Sequence, residues 1–242
     1  MRHASTAGLG LLLVASTLSS VGCATTMPVP AAVQCPPQTA DRRTPEDLWA
    51  ELEQGNNGFV GGEVHYDGLV ELREKTAKQQ NPPVSILSCS DSRVLPEVTF
   101  ERTINQIFVA RVAGNVAPRN QTELASLEFA VANGWTTLLV VMGHGDCGAI
   151  KSALATDDSG LTPALLALVT RIREGFRQAG IPRNDAPTAE QLRAATDANT
   201  RYVANQLTLD SRLLAACVGT KQLTIYTAYY DAATGRVERI SR

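Results

Sequence analysis

The stretch TLLVVMGHGDCG, residues 137–148, determines the fold. Its first six residues are apolar or β-branched and are followed by turn residues, which is typical of a strand buried in a parallel sheet. The strand predicted over 137–142 leads into a turn that contains His144 and Cys147, and a helical pattern follows over 147–155. We therefore predict a unit of strand, reactive turn and helix at this point of the chain.

The same alternation extends on both sides of this stretch. Short apolar runs bounded by turn residues predict further strands, at 84–88, 107–112, 222–229 and 237–240. The last two are joined by a hairpin turn. Helical spacing predicts further helices, at 45–54, 68–79, 122–133, 163–178, 188–207 and 211–218. Strands that alternate with helices predict an α/β domain, in which a mostly parallel central sheet is flanked by helices.

The first helix has a clear start and a clear end in the sequence. Thr44 supplies a capping hydroxyl, Pro45 suits the first turn, and two acidic residues follow at the positive end of the helix dipole. The run Gly55-Asn56-Asn57-Gly58 is rich in residues of low helix propensity. We therefore predict that the helix ends near Gln54.

Residues 1–23 have the layout of a secretory signal peptide. Arg2 and His3 precede an apolar core at residues 9–18, and small residues lead to Cys23. The pair Gly22-Cys23 resembles the end of a bacterial lipoprotein signal, in which the cysteine is lipidated, although Ser20 stands where leucine is usual. An ordinary cleaved signal with a chance cysteine is the alternative. Either signal predicts export to the periplasm, and lipidation would add attachment to the outer membrane.

Composition indicates a folded domain behind this leader. Residues 24–43 are rich in Thr, Pro and Ala and predict a flexible tether, which leaves residues 44–242 as one globular domain. Apolar residues make up 44% of the chain and charged residues 19%, as in folded soluble proteins. The formal net charge is −2 and no long basic run occurs, so nucleic acid is not an expected partner.

Three residues predict a metal site at the ends of two strands. Cys89 follows the strand over 84–88, and His144 and Cys147 follow the strand over 137–142. Ligands of such sheets bind beyond the carboxyl ends of the strands, so the three side chains are expected to meet there. Two thiolates and one imidazole suit zinc, and three protein ligands leave a fourth position for water. Taken singly, each residue is more often a packed cysteine or a loop histidine, but their joint placement favours zinc.

The residues around these ligands resemble those of the β-class carbonic anhydrases. The paired motifs Cys89-Ser90-Asp91-Ser92-Arg93-Val94 and Gly143-His144-Gly145-Asp146-Cys147-Gly148-Ala149 are similar to the family's in order and separation. Further similar stretches are LEQGNNGFV (52–60), FVARVAGNV (108–116), SLEFAV (126–131) and YYDAATGRV (229–237). The resemblance covers nearly the whole domain, from about residue 45 to residue 240.

This resemblance implies one zinc ion per subunit on Cys89, His144 and Cys147, and about four parallel strands with an antiparallel edge strand. It implies reversible hydration of carbon dioxide to bicarbonate and a proton by hydroxide on the zinc, in homodimers or higher homo-oligomers. Asp91 and Arg93 are assigned as a dyad, in which Asp91 orients the hydroxide and Arg93 keeps Asp91 ionised. In some members of the family the aspartate instead binds zinc and closes the site.

Two other functions fit the same motifs. Some relatives hydrolyse carbon disulfide or carbonyl sulfide on this fold. A non-catalytic zinc-binding or bicarbonate-binding protein would be expected to lack one of the five motif residues, and all five are present. Many relatives also have a substrate-binding glutamine in the stretch that corresponds to residues 100–107. Here Arg102 or Thr103 lies near that place, and Gln106 comes too late.

Three residues outside the motifs also bear on these interpretations. His65 is predicted to be an exposed loop residue, with proton transfer from the site as the alternative. Cys35 and Cys217 would pair in an oxidising compartment. Because Cys217 lies in an apolar helix, we favour the interpretation that it is a free, packed thiol.

Overall fold

The computed structural model describes residues 33–38 and 43–240. Its strands are β1 (Val84–Ser88), β2 (Ile107–Arg111), β3 (Leu138–His144), β4 (Thr224–Tyr230) and β5 (Val237–Arg239). They form one sheet in the order β2-β1-β3-β4-β5, in which β5 alone is antiparallel to its neighbour. The predicted α/β class, with four parallel strands and an antiparallel edge strand, is confirmed.

Helices cover both faces of this sheet. They are α1 (Pro45–Gly61), α2 (Leu69–Thr76), α3 (Pro96–Thr99), α4 (Thr122–Ala132), α5 (Gly148–Leu154), α6 (Pro163–Ala179), α7 (Ala189–Asp210) and α8 (Arg212–Gly219). A single 3₁₀ turn over Ala113–Asn115 follows β2. The sequence did not predict this turn or α3, because one helical turn is too short to show a periodic pattern.

The sheet separates two apolar cores, because successive side chains of a strand point to opposite faces. In β3, Leu138, Val140 and Met142 pack in the core that contains the buried residues of α1. Leu139 and Val141 pack in the other core, with residues of α4 to α8. Burial on both faces explains why β3 is a continuous apolar run rather than an alternating one.

The prediction that α1 ends near Gln54 is wrong, because the helix continues to Gly61. Gly55 packs so closely on Phe100 that a Cβ at this position would overlap the Phe100 carbonyl. The buried Asn56 side chain donates to two backbone carbonyl oxygens, at 3.1 and 2.8 Å, and accepts from a backbone N–H at 2.8 Å. These contacts outweigh the low helix propensity of glycine and asparagine. A glycine in a helix costs about 1 kcal/mol relative to alanine.

The favoured interpretation of Cys217 as a free thiol is also wrong, because a disulfide joins it to Cys35. Cys217 is fully buried, but residues 33–38 lie against it and against the segment that precedes β4. There the Gln222 side chain donates to the Pro36 carbonyl at 3.0 Å. The two cysteines are separated by 182 residues, and no local pattern indicates that they meet.

The remaining part of the N-terminal region lies outside the described residues. This applies to the predicted signal peptide, to Cys23 and to most of the predicted tether. Among residues 33–38 and 43–240, no helix combines the length and the apolar character that crossing a bilayer requires.

Cys35→Ser is expected to lower the free energy of unfolding of the oxidised protein by about 2–5 kcal/mol, because the cross-link restricts the unfolded chain. Urea unfolding followed by circular dichroism measures this difference. A phosphine reductant should lower the stability of the wild type by a similar amount and leave the variant unchanged. Equal stability of the oxidised wild type and the variant would contradict the disulfide.

Candidate metal centre

Three donor side chains meet at the carboxyl ends of β1 and β3. Cys89 directly follows β1, His144 is the last residue of β3, and Cys147 is the N-cap of α5. Their donor atoms lie within 4.8 Å of one another, and the two sulfurs are 4.0 Å apart. All three side chains are buried. The structure thus brings together the three residues that the sequence analysis proposed as ligands.

The turn that carries His144 has a glycine on each side, and both glycines lie close to neighbouring side chains. A Cβ on Gly143 would overlap side-chain atoms of α7, and a Cβ on Gly145 would lie 2.8 Å from the Tyr229 hydroxyl. Asp146, the next residue, has a φ of 56°, in the left-handed region that aspartate tolerates better than most residues. The chain can therefore reverse direction between the two ligands and enter α5 at Cys147.

His144 is oriented with one ring nitrogen free to bind a metal. Its Nδ1 is 3.0 Å from the Gly145 carbonyl oxygen, which only accepts hydrogen bonds, so Nδ1 carries the proton. Nε2 is buried and has no hydrogen-bond partner among the described residues. A buried polar nitrogen without a hydrogen-bond partner is costly unless it binds a ligand. This orphaned atom, next to two free thiols, fits a bound zinc ion.

The two sulfurs affect each other because they are neighbours. The contact between the two thiol groups favours ionisation of only one of them, which lowers the pKa of Cys89 and raises the pKa of Cys147. The backbone N–H of Gly114, 3.3 Å from the Cys89 sulfur, lowers the pKa of Cys89 further. Two adjacent thiolates repel each other, so both ionise readily only beside a cation. The pair therefore also fits a dication.

Asp91 and Arg93 form the predicted dyad beside these donors. Arg93 donates to both carboxylate oxygens of Asp91, from Nε and Nη2, at 2.9 Å each. These hydrogen bonds hold the pKa of Asp91 well below its ordinary value. Oδ2 of Asp91 lies 4.0 Å from Nε2 of His144, at the edge of the donor set. In this structure the carboxylate is therefore held by Arg93, with the geometry of an ionised pair.

The sequence analysis missed Arg111, which holds the loop that carries Cys89 and Asp91. Its guanidinium donates to the Cys89 carbonyl at 3.1 Å and to the Asp91 carbonyl at 2.8 Å. Arg111 ends β2, the parallel neighbour of β1, so its position at the carboxyl edge of the sheet was an available signal. Asn199 on α7 donates to the Gly114 carbonyl at 2.9 Å, and nothing in the sequence indicates that contact.

His65 and the residues near the expected substrate-binding glutamine line a cavity that does not include the three donors. His65 is in the loop between α1 and α2, and it lines this cavity together with Arg102, Thr103 and Gln106. Arg102 donates to a carbonyl oxygen of α1, and the side chain of Gln106 accepts from the Thr103 N–H at 2.7 Å. The described contacts of these four residues therefore lie away from Cys89, His144 and Cys147 within one chain.

Comparison with known proteins identifies relatives of this chain. A family model described as carbonic anhydrase matches residues 84–237. The carbonic anhydrase of Mycolicibacterium smegmatis is 32% identical over 200 residues, which cover 80% of this chain and 92% of that protein. The carbonic anhydrase of Pseudomonas aeruginosa is 29% identical over 180 residues, which cover 72% of this chain and 80% of that protein.

Solved structures share the fold. A β-carbonic anhydrase of Coccomyxa, in complex with acetazolamide, has a TM-score of 0.64 at 22% identity and covers 84% of this chain and 88% of its own. A tetrameric β-carbonic anhydrase of Sordaria macrospora has a TM-score of 0.64 at 18% identity and covers 81% of this chain and 98% of its own. Because the family model spans more than half of the residues and the Mycolicibacterium relative matches over nearly its whole length, the chain belongs to the β-class carbonic anhydrases, a family of enzymes.

Proposed function

We propose that this protein catalyses the reversible hydration of carbon dioxide to bicarbonate and a proton, with a zinc ion held by Cys89, His144 and Cys147. The observation that carries the proposal is the convergence of these three buried donors beside the Asp91–Arg93 dyad. Such a donor set suits zinc, and three protein ligands leave a position open for water. All five motif residues converge, which disfavours the non-catalytic alternative.

Zinc supplies a Lewis acid that makes hydroxide available near neutral pH. The residues of the chain must then orient the attacking water, and Asp91 has the position for this task. Its Oδ2 is 4.0 Å from a donor nitrogen, so it reaches a water molecule beside the three donors. An ionised carboxylate only accepts hydrogen bonds. It therefore fixes the direction of the hydrogen of that water and turns a lone pair towards carbon dioxide.

Arg93 keeps Asp91 in this state. The two parallel hydrogen bonds hold the carboxylate plane in one orientation and stabilise its charged form. A protonated Asp91 would donate a hydrogen bond instead of accepting one, and the water would then lose its orientation. Arg111 adds a second restraint, since it fixes the backbone on both sides of Ser90 through the carbonyls of Cys89 and Asp91.

We also propose that the protein works outside the cytoplasm as a homodimer or a higher homo-oligomer. The Cys35–Cys217 disulfide supports export, because disulfides persist in oxidising compartments. The Sordaria macrospora relative, which shares the fold, is tetrameric. Lipid attachment at Cys23 stays a prediction, and mass spectrometry of the mature N-terminus tests it.

Asp91→Asn is expected to retain zinc and to lower kcat/KM for carbon dioxide hydration by about 100-fold, because a neutral amide no longer orients the water as an acceptor alone. Stopped-flow hydration assays and elemental analysis of zinc measure the two quantities. Asp157→Asn, which changes an exposed carboxylate between α5 and α6, is the matched control. A rate near that of the wild type in zinc-loaded Asp91→Asn would refute the role of Asp91.

Cys147→Ser is expected to lower zinc affinity by about 100-fold or more, because a hydroxyl is a far weaker zinc ligand than a thiolate. Loss of a hydrogen bond that only orients a ligand already costs about 10–100-fold in affinity. Competition with a chromophoric chelator measures the affinity. Cys35→Ser is the control, because its sulfur is bonded to Cys217 and should not affect zinc. Unchanged zinc affinity in Cys147→Ser would remove this residue from the ligand set.

A further inference from the structure

Arg93 lies between two carboxylates, and Asp91 is only one of them. Its Nη1 is 3.8 Å from Oδ2 of Asp146, and its Nη2 donates to the Asp146 carbonyl oxygen at 3.3 Å. The other carboxylate oxygen of Asp146, Oδ1, is paired with the ammonium group of Lys151. Asp91, Arg93, Asp146 and Lys151 therefore form a row of alternating charges that leads from the donor set to the surface.

The backbone holds the outer two members of this row in place. Asp146 lies between the ligands His144 and Cys147, so its position is set by the turn that carries them. Lys151 is four residues after Cys147, and its N–H donates to the Cys147 carbonyl at 3.0 Å. Residues four apart lie on the same face of a helix, which brings Lys151 over the metal-binding end of α5.

A guanidinium that faces two carboxylates divides its hydrogen bonds between them. Without Lys151, Asp146 would carry an uncompensated charge next to Arg93 and would compete with Asp91 for it. With Lys151 on Oδ1, that charge is largely neutralised. Arg93 then makes both of its 2.9 Å bonds to Asp91, while its distance to Asp146 stays at 3.8 Å.

We propose that Lys151 is a positioning residue for the hydration reaction: it neutralises Asp146 and thereby keeps Arg93 on Asp91. The proposal rests on the role of Asp91 given above. It extends that role, because the orientation of the dyad then also depends on Lys151 and Asp146, whose side chains are paired with each other and with Arg93.

The size of the effect follows from exposure. The side chains of Arg93, Asp146 and Lys151 are 48%, 59% and 45% exposed. Exposed ion pairs contribute little, so we expect a change in rate of about 3–5-fold rather than a loss of activity. Salt should remove the effect, since the screening length falls to about 3 Å at 1 M ionic strength.

The first test is Lys151→Met, measured at low ionic strength. We expect kcat/KM to fall by about 3–5-fold with unchanged zinc content, because Asp146 now draws Arg93 away. Lys75→Met, at an exposed lysine of α2, is the matched control. Lys151→Arg should restore the rate, because it returns the positive charge. Lys151→Gln provides a second variant without the charge if the methionine variant folds poorly.

The second test is the coupling between Lys151 and Asp146. Asparagine also tolerates a positive φ, so Asp146→Asn preserves the turn. On the Asp146→Asn background, Lys151→Met should have no further effect on kcat/KM. An equal loss on both backgrounds, or a loss that persists at about 1 M salt, would show that Lys151 acts in another way and would overturn the proposal.

A third measurement follows Arg93 itself, independently of turnover. The Nε–H signal of Arg93 in a ¹⁵N–¹H spectrum, assigned with Arg93→Lys, should exchange faster with water in Lys151→Met than in the wild type at low salt. An unchanged signal would overturn the proposal. If Asp91→Asn is inactive while Lys151→Met changes neither the rate nor this signal, the proposed function stands and this inference alone fails.

Discussion

Parallel pairing of β1 with β3 places Ser88 beside Met142, so the segments that follow the two strands leave the sheet at one edge. Cys89 and His144 meet at that edge, and the turn after His144 brings Cys147 to the same point. Because β1 lies between β3 and β2, the arginine that ends β2 reaches the Cys89 loop from its other side. A different strand order would separate these residues and leave no site.

The donor set is buried, and backbone groups orient it. A carbonyl oxygen fixes the proton of His144 on Nδ1, and the Gly114 N–H points at the Cys89 sulfur. Outer contacts of this kind typically change metal affinity by about 10–100-fold. The geometry of the donor set thus depends on the peptide groups of Gly114 and Gly145, and glycines at 143 and 145 let α7 and β4 approach the His144 turn.

The spacing of apolar residues predicted those helices and strands whose buried faces follow that spacing. The apolar run of β3 is one example, since both faces of that strand are covered. The same reasoning failed for α1, where Asn56 is held by three hydrogen bonds to distant backbone groups. It also failed for Cys217, whose partner Cys35 lies at the other end of the chain. Both failures have one cause, because the contact that decides the outcome is remote in sequence.

The sequence by itself determined the class of the fold, and it predicted which two strands end in reactive residues and which five motif residues lie there. Spacing of apolar residues and the identity of donor atoms are local properties, so they can be read without coordinates. The tertiary structure alone decided that Arg111 restrains the Cys89 loop, and that Arg93 faces Asp146 as well as Asp91. Such contacts join segments that follow separate strands, and these segments come within contact distance only after the strands have paired in the sheet.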